Sequence, residues 1–206
     1  MSGFFIYWLG WLAWIVCTFL MKKTELRAIC GFTILALLLF IPLKVQLGGV
    51  SVSLGFLLCL FVSYFYLGKF PWKRLFYPIF TTSCIAISYI CMNELIRIDP
   101  VVLIFDRNIL LTIPPLLVAF FLTRGVSRSI ILALGLLHGE VLLHLYRSNL
   151  TEAVIGSYEF FDVLAITVTV SSCYWIFSQV IRNWGKRQKA KANLPLSIPN
   201  RIDKHA

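Results

Sequence analysis

Ser129-Ile130-Ile131-Leu132-Ala133-Leu134-Gly135-Leu136-Leu137-His138-Gly139-Glu140-Val141-Leu142-Leu143-His144-Leu145-Tyr146 is one unbroken apolar run in which Glu140 alone is acidic and no lysine or arginine occurs. A helix that crosses a bilayer needs about 20 mostly apolar residues, so this run has membrane-spanning length. Runs of the same character fill the chain on either side of it. They extend over Gly3 to Met21, Ala28 to Leu43, Val50 to Leu67, Phe76 to Ile96, Ile109 to Thr123 and Phe160 to Ile181. The run at Ile109 is short and has an alternative start at Val101. Of the 206 residues 59% are hydrophobic and 14% charged, whereas a soluble domain carries about a quarter charged residues. The expected fold is therefore all-α, a polytopic transmembrane bundle of seven spans over residues 1–181. A basic, disordered tail follows over residues 182–206, dotted with Pro195 and Pro199.

The net charge of +10 does not point to nucleic acid, because the basic residues sit in the gaps between apolar runs. With the N-terminus outside, the inner segments hold Lys22, Lys23 and Arg27, then Lys69, Lys73 and Arg74, then Arg124 and Arg128, then the basic tail. Only Lys44, Arg97, Arg107 and Arg147 fall on the outer side, together with Glu94, Asp99, Asp106, Glu152, Glu159 and Asp162. This alternation follows the positive-inside bias at every turn, and deleting one span would break it. The first run lacks a preceding basic segment and a small-x-small cleavage site, so it reads as a retained helix rather than a cleaved leader.

Lipid gives helices no hydrophobic reason to associate, so small residues must let backbones approach. Such seams repeat every four residues at Ser51, Gly55, Cys59 and Ser63, at Gly135 and Gly139, and at Ala165, Thr169 and Cys173. Gly3, Gly10 and Cys17 recur at heptad spacing, and Gly48-Gly49 marks a turn. Trp72 and Trp184 suit interfacial anchoring. The six cysteines all lie in apolar runs without a Cys-x-x-Cys pair, and read as small buried packing residues.

Candidate chemistry centres on the run quoted first. Glu140 and His144 are four apart and share a helix face, while His138 points elsewhere. Ionisable residues inside a membrane are costly, which makes His138, Glu140 and His144 a candidate polar site. The competing reading is a structural pair in which the imidazole donates to the carboxylate. Glu140 and His144 offer two ligands and no third is identifiable, so no metal site is expected. Pro114 and Pro115 mark a candidate kink or break in the fifth span. Outside, Asp99, Asp106, Arg107, Arg147, Glu152, Glu159 and Asp162 offer either a polar cap or ordinary solvated charge. Asn149-Leu150-Thr151 matches a glycosylation sequon. There is no Gly-x-Ser-x-Gly elbow, phosphate-binding glycine loop, His-Glu-x-x-His or internal repeat.

The opening stretch, from Phe5-Ile6-Tyr7-Trp8-Leu9-Gly10-Trp11-Leu12-Ala13-Trp14 to Phe19-Leu20-Met21-Lys22-Lys23, resembles the start of the YphA-like family of small membrane proteins from endospore-forming Gram-positive bacteria. The resemblance implies a multi-pass protein of a bacterial cell membrane, linked to sporulation or envelope assembly. It carries no catalytic residues over. The leading functional expectation is a non-enzymatic scaffold or assembly factor, in contact with the lipid bilayer and with a membrane protein partner or a second copy. The alternative is a small solute or ion transporter, or the substrate-binding membrane subunit of one, using Glu140 and His144. A membrane enzyme ranks third. No cofactor and no nucleic acid are expected.

Overall fold

A computed structural model describes residues 2–47, 50–69, 75–99, 101, 106–123, 125, 127–147 and 154–192. Each of the seven apolar runs carries a helix. α1 (Phe4–Ile15) continues into a π-helical turn (Val16–Leu20) and is followed by α2 (Glu25–Phe40). After a hairpin come α3 (Leu54–Leu67), α4 (Phe76–Ile98), α5 (Arg107–Leu122), α6 (Ser127–Tyr146) and α7 (Tyr158–Ala192). The chain divides into two units, Met1–Ser172 and Cys173–Ala206. The first holds α1 to α6 and the beginning of α7; the second holds the rest of α7, which stays helical past Ile181 as far as Ala192.

Among the described residues three helical stretches are long and apolar enough to cross a membrane: Phe76–Ile98, Ser127–Tyr146 and Tyr158–Gly185. Phe4–Leu20, Leu54–Leu67 and Arg107–Leu122 are apolar but shorter. The third run differs from expectation because its first residues are not helical. Val50–Ser53 alternates valine with serine, which suits a pleated strand, and forms β2. It pairs antiparallel with β1 (Lys44–Leu47), Lys44 opposite Ser53 and Leu47 opposite Val50. A short β3 (Val154–Ile155) joins β2 in parallel. Open strand edges cannot lie in hydrocarbon, so this sheet belongs where water or headgroups reach it. α3, at 14 residues, spans about 21 Å at 1.5 Å per residue.

The distribution of polarity is inverted relative to a soluble protein. Phe19, Phe32 and Phe121 stand 75%, 75% and 85% exposed. Asp162, Glu140, Asn93, Thr81 and Thr167 are buried. Apolar surface on this scale is stable only against another apolar phase.

α6 is the centre of the bundle, packed by α3, α4 and α5. Its glycines let α4 approach closely. A Cβ on Gly135 would stand 2.5 Å from Ile85 Cγ2, and one on Gly139 would stand 2.9 Å from Tyr89 Cδ1 and 3.3 Å from Ala86 Cα. Gly55 is closed off in the same way by the Ile41 backbone, and Gly10 by Leu38. Of the expected α7 seam Ala165 is buried, Thr169 is half-buried and Cys173 is exposed, while Val163, Thr167 and Ser171 are also buried. Of the cysteines only Cys17 is buried; Cys30, Cys91 and Cys173 are exposed, a correction to the expectation that all six pack inside.

Asp162 also departs from expectation. It is fully buried near the start of α7 rather than solvated in a loop. Its Oδ2 accepts from Gly3 N at 2.7 Å and its Oδ1 from Ile6 N at 2.8 Å. The first amides of a helix have no internal partner, and a carboxylate there meets both their hydrogen-bonding need and the positive end of the helix dipole. Gly3, at φ 93°, makes the left-handed turn that aims these amides at Asp162. Asp162 thus fixes the start of α1 beside the start of α7. The β2–β3 pairing and the ion pair of Arg147 with Glu94 gather the hairpin and the ends of α4 and α6 at that same end.

Candidate polar site

At this end a cleft of about 320 Å³ opens between α4, α5, α6 and the start of α7. Its floor is Glu140, which α6 turns inward and which is only 4% exposed. The Tyr89 hydroxyl on α4 donates to Glu140 Oε2 at 2.9 Å, and His144 Nε2 lies 3.3 Å from Oε1. His144 Nδ1 is buried and has no hydrogen-bond partner among the described residues. Asn93, one turn beyond Tyr89, lines the cleft and donates through Nδ2 to the Tyr89 carbonyl at 3.1 Å. The expected Glu140–His144 contact on one helix face is therefore present, with a phenol from a second helix added to it.

The rim carries charge. Arg147 donates through Nε to Glu94 Oε1 at 2.8 Å, with Nη2 of the same guanidinium 2.7 Å from that oxygen. Arg97 grips the other oxygen of Glu94, with Nε at 2.8 Å and Nη2 at 2.7 Å. Arg107, the first residue of α5, pairs with Glu159 at 2.9 Å. Both of these side chains are about half exposed, so their pairing is weak and breakable, worth roughly 0–1 kcal/mol. Leu111, Leu143, Phe160 and Val163 supply apolar walls.

The structure separates the remaining candidates. His138 faces α3, not the cleft. Its Nδ1 lies 2.9 Å from the Leu134 carbonyl and its Nε2 lies 2.6 Å from the Tyr64 hydroxyl. A carbonyl can only accept, so Nδ1 carries a proton and donates to Leu134. Pro114 and Pro115 lie within α5, whose helix runs on through both, and neither lines the cleft. Of the expected outer cap, Arg107, Arg147 and Glu159 meet at the cleft. Asp106 caps α5 by accepting from Asn108 N at 3.0 Å, and Asp99 accepts from Val101 N at 3.1 Å. Glu152, the Asn149 sequon, Gly48-Gly49 and Trp72 lie outside the described residues. Among the described residues no three His, Cys, Asp or Glu side chains come together as metal ligands.

Buried polar groups held inside an apolar exterior are the mark of a protein dissolved in lipid. The family model for YphA-like integral membrane proteins matches residues 2–193. The chain belongs to this family. The match takes in α1 to α7, so the protein is an integral membrane protein that sits in a lipid bilayer. No curated protein and no solved structure matches the chain.

Tyr89 and Asn93 were not singled out from sequence. The signal was present as a polar pair spaced four apart near the end of an otherwise apolar run, the same spacing that exposed Glu140 and His144.

Proposed function

We propose that this YphA-like protein is a non-enzymatic binding subunit that holds a small polar solute in the Glu140 cleft. The observation that carries this reading is a buried carboxylate, clamped by Tyr89 and His144, at the floor of an open cleft with a breakable Arg107–Glu159 pair at its rim. The volume is at the small end of ligand sites, and the mixture of apolar wall and a few polar groups is typical of them. Glu140 has lone pairs left after accepting from Tyr89 and His144, so it can take a further donor from a solute. The cleft faces the cell exterior in this reading, with seven crossings, an outer Gly3 and a cytoplasmic tail, an orientation that the distribution of lysine and arginine supports. A bacterial cell membrane, in sporulation or envelope assembly, is the proposed setting.

The small-residue seams that favoured a scaffold are taken up within the bundle. Gly135 and Gly139 close on α4, Gly55 on Ile41 and Gly10 on Leu38, which leaves fewer faces for a partner helix. The scaffold reading keeps one support, the basic run Lys186, Arg187, Lys189 and Lys191 near the end of α7.

The test is a thermal-shift screen of amines, amino acids, sugars and short peptides on detergent-purified protein. A solute class that raises the melting temperature of wild type but not of Glu140→Gln supports the reading. If stabilising solutes act equally on both, the cleft is not their site.

A further inference from the structure

The charges of the polar cleft are ordered from floor to rim. Glu140 and Arg147 both line it. Seven residues separate them, about two helical turns and roughly 10 Å at 1.5 Å per residue, so they share one face of the chain. His144 stands between them on that face, and its buried Nδ1 has no hydrogen-bond partner among the described residues. A carboxylate therefore lies deep in the cleft and guanidinium groups lie at its mouth.

Arg147 does not have Glu94 to itself. Arg97 holds Oε2 of that carboxylate while Arg147 holds Oε1, so one negative charge answers two guanidinium groups and a positive charge is left over. Arg147 reaches Glu94 through Nε and Nη2, and Nη1 takes no part in that pair. Arg107, also on the rim, is tied to Glu159 by a half-exposed contact, a weak kind of pair that an incoming carboxylate can replace.

A simple amine would satisfy Glu140 but would add a cation beneath the arginines. A simple acid would suit the arginines but would face Glu140. A solute that carries both signs, amine inward, avoids either mismatch. Leu111, Leu143, Phe160 and Val163 wall the space between the two charged ends, which suits an apolar side chain. The volume of about 320 Å³ lies at the small end of ligand sites and favours an amino acid over a longer peptide. We infer that the cleft takes an α-amino acid with an apolar side chain, its ammonium on Glu140 and its carboxylate on Arg107 and Arg147. This inference rests on the reading of the cleft as a solute site and names the class of solute.

Isothermal titration calorimetry of the full chain in neutral detergent tests it with leucine, valine and phenylalanine, each beside its decarboxylated amine and its deaminated acid. At least one amino acid is expected to bind about tenfold or more tightly than either of its own analogues, because each analogue gives up one charged contact. Arg107→Gln breaks only the weak rim pair and is expected to lower the affinity of that amino acid towards that of its amine. Glu140→Gln is expected to lower it towards that of the acid. Should a variant fail to fold, the analogues on wild type still decide the matter. An amine that binds wild type as tightly as its amino acid and is lost in Glu140→Gln would overturn the inference while leaving the solute cleft standing. Unchanged amino-acid affinity in folded Arg107→Gln, or no binding of any of the three amino acids, would also overturn it. A wider solute screen without a Glu140-dependent hit would remove the cleft reading as well.

Discussion

Removing the Asp162 carboxylate should free the start of α1. Its two oxygens accept from Gly3 N and Ile6 N at 2.7 and 2.8 Å in a site with no solvent exposure. A hydrogen bond to a charged group contributes about 1.5–3 kcal/mol. Losing both puts Asp162→Ala about 3–6 kcal/mol below wild type, less whatever water recovers at the loosened end. Asp162→Asn keeps one acceptor oxygen but turns an amide donor towards the other N–H, and should lose about half as much. Glu159→Gln is the control, because its half-exposed partnership with Arg107 is worth no more than about 1 kcal/mol. Unfolding of the purified protein in mixed detergent micelles gives the ranking, and hydrogen exchange gives the location. The amides of the first turn of α1 should exchange much faster in Asp162→Ala, while those at the centre of α6 stay protected. If Asp162→Ala unfolds with Glu159→Gln and the α1 amides are unchanged, the cap contributes nothing and α1 is held by packing alone.

Three further outcomes follow from the same geometry. Gly139→Leu drives a side chain into Ala86 and Tyr89 across the α4–α6 contact, and should cost about 1–3 kcal/mol or more of stability; stability equal to wild type in detergent would mean that this face is not packed. Tyr89→Phe leaves Glu140 Oε2 without its donor at 2.9 Å and should cost about 1–3 kcal/mol, measurable as a lower melting temperature; it should also change solute binding at the cleft, which Tyr64→Phe, acting on the separate His138 contact, should leave as in wild type. Reporter fusions at Gly49, Asn149 and Ala206 should signal outside, outside and inside, and a cytoplasmic signal at Asn149 would break the seven-crossing arrangement.

The helices were legible because lipid enforces a length and an apolarity that a single sequence displays. A close approach to α6 was legible as well, since Gly135 and Gly139 announce it by their spacing, but that α4 makes it was not. Val50–Ser53 escaped because its valine–serine alternation lasts only four residues and runs straight into a helix. Asp162 was misplaced because a carboxylate near a helix boundary looks the same in sequence whether it meets water or another helix's amides. The α7 seam was only partly legible for a related reason: Ala165 is buried, but Thr169 and Cys173 look no different in sequence from the buried Thr167 and Ser171. Glu140 and His144 share one helix, so their pairing could be read from spacing alone. Tyr89 reaches Glu140 across two helices, a relation that only packing defines.

Native mass spectrometry of wild type and Glu140→Gln, both purified gently from cells without added ligand, tests most directly whether Glu140 is the floor of a solute site. Glutamine keeps the shape and a hydrogen-bonding oxygen but gives up the charge. A small non-lipid mass is expected on wild type and absent from an equally folded Glu140→Gln. The same mass on both proteins, or none on either, would contradict it and leave the Tyr89–Glu140–His144 contact as a structural tie between α4 and α6.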